Sequence, residues 1–107
     1  MGYNLIFTPA TGYVAADVYY VQAVREADGY IWDGATFAAA PAYTDTDIAL
    51  TDINSMGVWG FMAPEDLPAG IYSIVFRKQA GGVPDAGDNV YDVKRLFKSA
   101  IGRVVAL

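Results

Sequence analysis

Leu67-Pro68-Ala69-Gly70-Ile71-Tyr72-Ser73-Ile74-Val75-Phe76-Arg77-Lys78 is the stretch on which the fold turns. From Ile71 to Lys78 it is rich in β-branched and aromatic residues, the types that suit a pleated, half-buried surface. Pro68 and Gly70 bound it on one side, and the Gly/Pro/Asp-rich run from Ala80 to Asn89 bounds it on the other. A strand between two breakers follows. Upstream, Pro64 to Gly70 reads as a rigid connector. Before it, Gly57-Val58-Trp59-Gly60-Phe61-Met62 alternates, with Trp59 and Phe61 on one face and Val58, Gly60 and Met62 on the other.

The same punctuation continues toward the N-terminus. Asp47 to Thr51 with Ile53 forms a short strand followed by Asn54-Ser55, and Ala39 to Thr46 reads as a loop. Tyr30-Ile31-Trp32 and Thr36-Phe37-Ala38 flank Asp33-Gly34, and Glu26 to Gly29 supplies another Asp-Gly turn, a strong hairpin signal. Tyr13 to Arg25 is a long apolar run whose Val and Tyr content favours a strand over a helix. Tyr3 to Phe7 is a first strand, ended by Thr8-Pro9-Ala10-Thr11-Gly12. The chain therefore reads as all-β, an antiparallel β-sandwich of short strands.

Toward the C-terminus the pattern changes. Val90, Val93, Leu96 or Phe97, Ala100 or Ile101 and Val104 recur at three- to four-residue steps, the spacing of a helix face. Asp88 or Asn89 stands where a cap is needed. Gly102 and the Val104-Val105 pair favour an extended end. The expectation is a helix near residues 90–99 followed by a short extended end, with a final strand over roughly 101–107 as the other feature to place. Residues 1–89 form the sandwich, and 90–107 form a C-terminal docking segment or a further part of the same domain.

Composition narrows the chemistry. The 107 residues are 54% apolar and include no Cys and no His, which excludes disulfide frameworks, zinc-finger ligand sets and Ser-His-Asp or Cys-His catalysis. The length fits one domain with a radius of gyration of roughly 13 Å. The apolar residues include 17 Ala and 15 aromatics but only five Leu. No stretch approaches the ~20 apolar residues of a membrane helix. No basic region precedes an apolar run, so the protein is expected to be made in a host cytoplasm without a signal peptide. Ile6 replaces the Ser or Thr of a myristoylation signal.

Charge is uneven. Residues 1–76 hold one base, Arg25, against nine acids, a net of −8; residues 77–107 hold six bases against three acids, a net of +3, for a total of −5. Three local acids and an acidic body make a poor phosphate footprint, so nucleic acid is not an expected partner. The acids lack EF-hand spacing, Gly81-Gly82 is not followed by the Gly-Lys-Ser/Thr of a phosphate loop, and Asp45-Thr46-Asp47 is not the Asp-Thr-Gly of aspartic proteases. No catalytic residue, cofactor or metal ligand is expected.

Trp32-Asp33-Gly34 with Phe37, Ile48 to Ile53, Gly57 to Phe61, Leu67 to Arg77, and Gln79-Ala80-Gly81-Gly82-Val83-Pro84 with Asp88 together resemble small immunoglobulin-like β-sandwich modules of tailed-phage and prophage structural proteins. The likeness covers roughly residues 28–88 and rests on a Gly-x-aromatic strand leading into Leu-Pro-Ala-Gly-Ile-Tyr. It implies a virion component without enzymatic activity (a head decoration, neck or tail-attached protein) that works by contact with other virion proteins or copies of itself. The basic C-terminal segment departs from that pattern. Within the motif, Tyr72 is placed to bond back to upstream backbone, as in a tyrosine corner.

The candidate contact residues follow from the aromatics and the basic segment. Tyr19 and Tyr20 are strand neighbours and point to opposite faces, so one of them should be exposed or buried by a partner. Trp59 is a core or interface ring. Val90, Val93, Phe97 and Ile101 with Lys94, Arg95 and Lys98 form the candidate docking arm, whose bases would meet acidic patches; removing residues 90–107 is then expected to leave a folded domain that no longer assembles. The alternative function is a carbohydrate- or receptor-binding module, with Trp32 or Trp59 as the stacking platform.

Overall fold

The computed structural model describes residues 3–9 and 13–107. Among them the chain forms β1 (Leu5–Phe7), β2 (Tyr19–Arg25), β3 (Ile31–Trp32), β4 (Phe37–Ala38), α1 (Tyr43–Thr46), β5 (Ile48–Ala49), β6 (Thr51–Asp52), β7 (Trp59–Phe61), β8 (Gly70–Lys78), β9 (Asn89–Lys98) and β10 (Val104–Ala106). All pairings are antiparallel. A small sheet runs β1-β7-β6, and a large sheet runs β10-β9-β8-β2-β3-β4 with β5 also paired to β2. The fold is an antiparallel β-sandwich. No helix among the described residues is long and apolar enough to cross a membrane.

Strand β8 sets the inner face. Tyr72, Ile74 and Phe76 are fully buried, while Ile71, Ser73 and Val75 alternate on the other side. Its neighbour β2 matches it through Val21↔Phe76 and Ala23↔Ile74, and β9 through Tyr72↔Leu96. From the small sheet, Leu5, Phe7, Trp59 and Phe61 close over these residues, with Leu50 and Leu67 at the sides. The Phe7 ring stacks on Phe76 at 5.1 Å and meets Tyr19 edge-on at 5.3 Å. Offset and T-shaped ring pairs of this kind add about 0.5–1.5 kcal/mol beyond their burial.

The run from Asp47 to Thr51 forms two strands. β5 pairs with β2 in the large sheet and β6 pairs with β7 in the small one. Leu50, buried between them, marks the corner where the chain changes sheets. The turn after β6 carries Asn54 and Ser55 at φ 57° and 53°, the left-handed pair of a hairpin turn that Asn favours.

Two details of the connector region bear on stability. The Tyr72 hydroxyl donates to the Pro68 carbonyl at 2.6 Å, which is the upstream bond expected of a tyrosine corner. Tyr72→Phe removes that donor and should cost about 1 kcal/mol, read as a lower thermal midpoint with an unchanged fold by circular dichroism. At Gly60 the Tyr3 ring lies where a side chain would start, 2.4–2.6 Å from an added Cβ. Gly60→Ala should therefore displace Tyr3, and its destabilisation should largely vanish in a Tyr3→Ala background, a non-additivity that a double-mutant cycle measures.

The segment from residue 90 corrects the expected helix. β9 is a ten-residue strand, paired with β8 from Gly70↔Lys98 to Lys78↔Asn89, and β10 continues the sheet. The extended end over Val104–Ala106 stands. The helical spacing came from a bulge: Phe76 pairs with Asp92 and Arg77 with Val90, leaving Tyr91 as an extra residue. Tyr91 turns its ring toward Phe7 and Tyr19. Val90 and Val93 then share the outer face although three residues apart, and Phe97 follows after four.

Candidate functional site

Beyond the bulge, β9 alternates strictly. Leu96 and Lys98 face inward and are buried, while Val93, Arg95 and Phe97 face outward. Phe97 pairs with Ile71 on β8 and Val105 on β10, and Val93 pairs with Val75. The outer face of the large sheet therefore carries an apolar stripe of Ile71, Phe97 and Val105, between 37% and 40% exposed, separated by the Ser73–Arg95 row from Val93 at 52%. Arg95 beside it makes a two-pronged ion pair with Glu26, both contacts at 2.8 Å. That guanidinium holds the Glu26 carboxyl below the usual carboxylate range.

The other end of the same face is covered by the chain itself. Tyr20 and Gln22 point outward from β2, yet both are buried beneath α1 and the loop from Asp85 to Asp88. The Tyr20 hydroxyl donates to Asp88 Oδ2 at 2.5 Å, and Asp88 also accepts the backbone N–H groups of Ala80 at 2.8 Å and Asp85 at 3.0 Å. Arg77 donates to Gln22 Oε1 at 2.8 Å and to the Asp88 carbonyl at 3.0 Å, and Gln22 donates to Thr46 Oγ1 at 3.0 Å. Burial pushes the Tyr20 phenol above its ordinary value, and the Asp88 carboxylate adds to the shift. Burial alone would raise Asp88, but the Tyr20 bond, the two backbone donors and the Arg77 charge outweigh it and hold the carboxyl low. The network is a latch that closes one half of the outer face.

Several expected contact residues are therefore inside. Tyr19 lies in the core and Tyr20 in the latch, so neither tyrosine needs a partner to be buried. Trp59 is a core ring, only 8% exposed, packed against Tyr19 at 5.1 Å; its Nε1 has no hydrogen-bond partner among the described residues. Lys98 is buried and donates to the carbonyls of Pro64 and Glu65 at 3.1 and 2.7 Å, fastening the connector. Lys94 pairs with Asp92 at 3.2 Å, and Lys78 with Asp17 at 3.3 Å. The C-terminal bases thus meet acids and carbonyls of their own chain, apart from Arg103, which makes no ion pair among the described residues.

Val90, Val93, Arg95, Phe97 and Ile101 remain exposed, Ile101 the most at 91% in the β9–β10 turn. Sequence reasoning missed Ile71 and Val105. The alternation of Ile71, Ser73 and Val75 against Tyr72, Ile74 and Phe76 carried the signal for the first. Trp32 is buried like Trp59, so neither indole is an open stacking platform. Among the described residues no three side chains of metal-ligating type gather closely enough to hold a metal ion. A slot of about 530 Å³ opens between β1 and β9, lined by Asn4 to Ile6, Val93 to Arg95, Ala106 and Leu107. Comparison with protein-family models, with curated proteins and with solved structures finds no match.

Proposed function

We propose that this chain is a non-enzymatic structural protein of a tailed-phage virion, a head decoration, neck or tail-attached component that works by contact. The observation that carries the reading is the apolar stripe of Ile71, Phe97 and Val105, three exposed side chains aligned across neighbouring strands of the large sheet. Contiguous apolar surface rimmed by charge marks an interaction face, and here the Arg95–Glu26 ion pair bounds the Ile71-Phe97-Val105 row on one side. The sequence likeness over residues 28–88 supports the class of particle. The stripe docks on a neighbouring virion protein or on another copy of the chain, and no nucleic acid, membrane or cofactor takes part.

The test is made on purified particles of the phage or prophage that carries the gene. Wild-type chain should be a fixed component of the virion by mass spectrometry. Phe97→Glu should stay folded in the lysate and be lost from the particle, because a carboxylate in the stripe must be desolvated on docking. Absence of the wild-type chain from virions overturns the reading. A saturable tryptophan-fluorescence response to oligosaccharides would overturn it in favour of a carbohydrate-binding module.

A further inference from the structure

Edge strands expose rows of unsatisfied N–H and C=O groups, and folded domains commonly blunt them with charge, proline or extreme shortness. This chain blunts several of its edges. β4 and β6 have two residues each, and β6 contains Asp52. Where β9 runs on past the end of β10, Asp92 Oδ1 accepts the Val93 N–H at 2.8 Å and Lys94 pairs with the same carboxylate. β10 is different. Val104-Val105-Ala106 has no charge, no proline and no bulge, and no described strand pairs with its far side.

The register fixes which groups it offers. Arg103 C=O accepts from Ser99 N–H, and Leu107 N–H donates to Arg95 C=O, so odd-numbered residues direct their backbone groups to β9. Val104 and Ala106 direct theirs outward, by the alternation of an antiparallel ladder. A two-fold axis through Val105 places Val104 of one copy opposite Ala106 of the other, donor on acceptor in both directions, for four hydrogen bonds. Val105 then faces Val105 in the close, non-hydrogen-bonded pair. Val105 lies on the outer face beside Phe97, so the stripes of the two copies join into one band. The two Arg103 side chains stand four residues apart along the ladder, roughly 13 Å, beyond the Debye length at physiological salt.

We infer that the chain pairs with a second copy of itself through β10, in an isologous dimer that extends the large sheet and doubles the apolar stripe. The symmetry is closed, so pairing stops at two copies. The inference rests on the contact reading for its purpose, and on the edge for its geometry. A three-residue edge buries less than a standard interface, so the dimer is weak, with a Kd between about 10 μM and about 1 mM.

Sedimentation equilibrium of the full chain over that concentration range tests it. The mass should rise from 11.5 kDa toward twice that value. Ala106→Pro removes an outward N–H without touching the β9 ladder, and Val105→Lys sets two like charges face to face. Both should remain monomeric while their thermal midpoints move by less than about 3 °C. A wild type that stays at 11.5 kDa throughout, or an Ala106→Pro chain that dimerises like wild type, overturns the inference. A dimer lost in Phe97→Glu but kept in Ala106→Pro also overturns it, and locates association on the stripe instead. Because the contact reading is tested by retention in virions, its failure is read separately from the failure of this dimer.

Discussion

A chain ending at residue 89 should not fold. The sequence pattern read residues 90–107 as a docking segment or as a further part of the same domain, and β9 is the partner of β8 along its whole length. Without it, the backbone groups on that side of β8 lose their ladder, and Leu96 leaves the core. Lys98 no longer fastens the connector through Pro64 and Glu65. Loss of Leu96 alone resembles a core truncation of about 2–5 kcal/mol, a large share of the roughly 5–15 kcal/mol that holds a domain together. The truncated protein should show no cooperative thermal transition and no near-ultraviolet circular dichroism. A cooperative melt from residues 1–89 would refute this. Removing 104–107 alone should lower the midpoint and keep the transition.

Substitution of Asp88 should have the next largest effect. Its carboxylate accepts hydrogen bonds from Tyr20, Ala80 and Asp85, and the residue is only 4% exposed. In Asp88→Asn the amide group must face at least one of those donors, leaving a buried polar group unmatched. The expected loss is about 2–4 kcal/mol at neutral pH, against about 1 kcal/mol for Tyr20→Phe, which removes one donor and leaves the others in place. The pH dependence has a definite sign. The folded state holds Asp88 below its ordinary value, so the unfolded chain takes up the proton first as the pH falls. The stabilisation is complete above about pH 4 and is lost as the pH drops through the folded value. Glu26, Asp28 and Asp33 are lowered in the same direction, by Arg95, by Arg25 and by the Thr36 and Ala35 N–H groups respectively. Urea unfolding at pH 7 and pH 3 should therefore show a smaller difference for Asp88→Asn than for wild type. An unchanged difference would mean that Asp88 does not carry this part of the acid sensitivity.

Local chemistry was readable where it was self-contained. The Asp-Gly turns, the alternation through Trp59 and Phe61, the strand from Ile71 to Lys78 and the Tyr72 hydroxyl bond all depend on residues close in sequence. The failures share one cause, which is distance along the chain. A bulge at Tyr91 is defined only against β8, so β9 imitated a helix face. Tyr20 is hidden by Asp88, 68 positions away, and nothing near Tyr20 announces that cover. Arg95 looked free for a partner because its acid, Glu26, lies 69 positions upstream. The stripe was partly legible: Phe97 was singled out, while Ile71 and Val105 join it only through the register.

The pairing of β2 with β8 also sets an order of events. Gln22 meets Val75, and Leu5 meets Phe61, so β1 and β2 each have a partner more than fifty residues behind them. On a ribosome, the first half of the chain emerges with only the pairings among β2, β3, β4 and β5 available, and without Phe76 and Trp59, which cover Phe7 and Tyr19. Contacts this remote in sequence make folding slow, in the range of milliseconds to seconds for sandwiches. The domain can therefore close only once nearly all of it has been synthesised, and until then its protection from aggregation lies with the acidic residues that dominate the first three quarters of the chain.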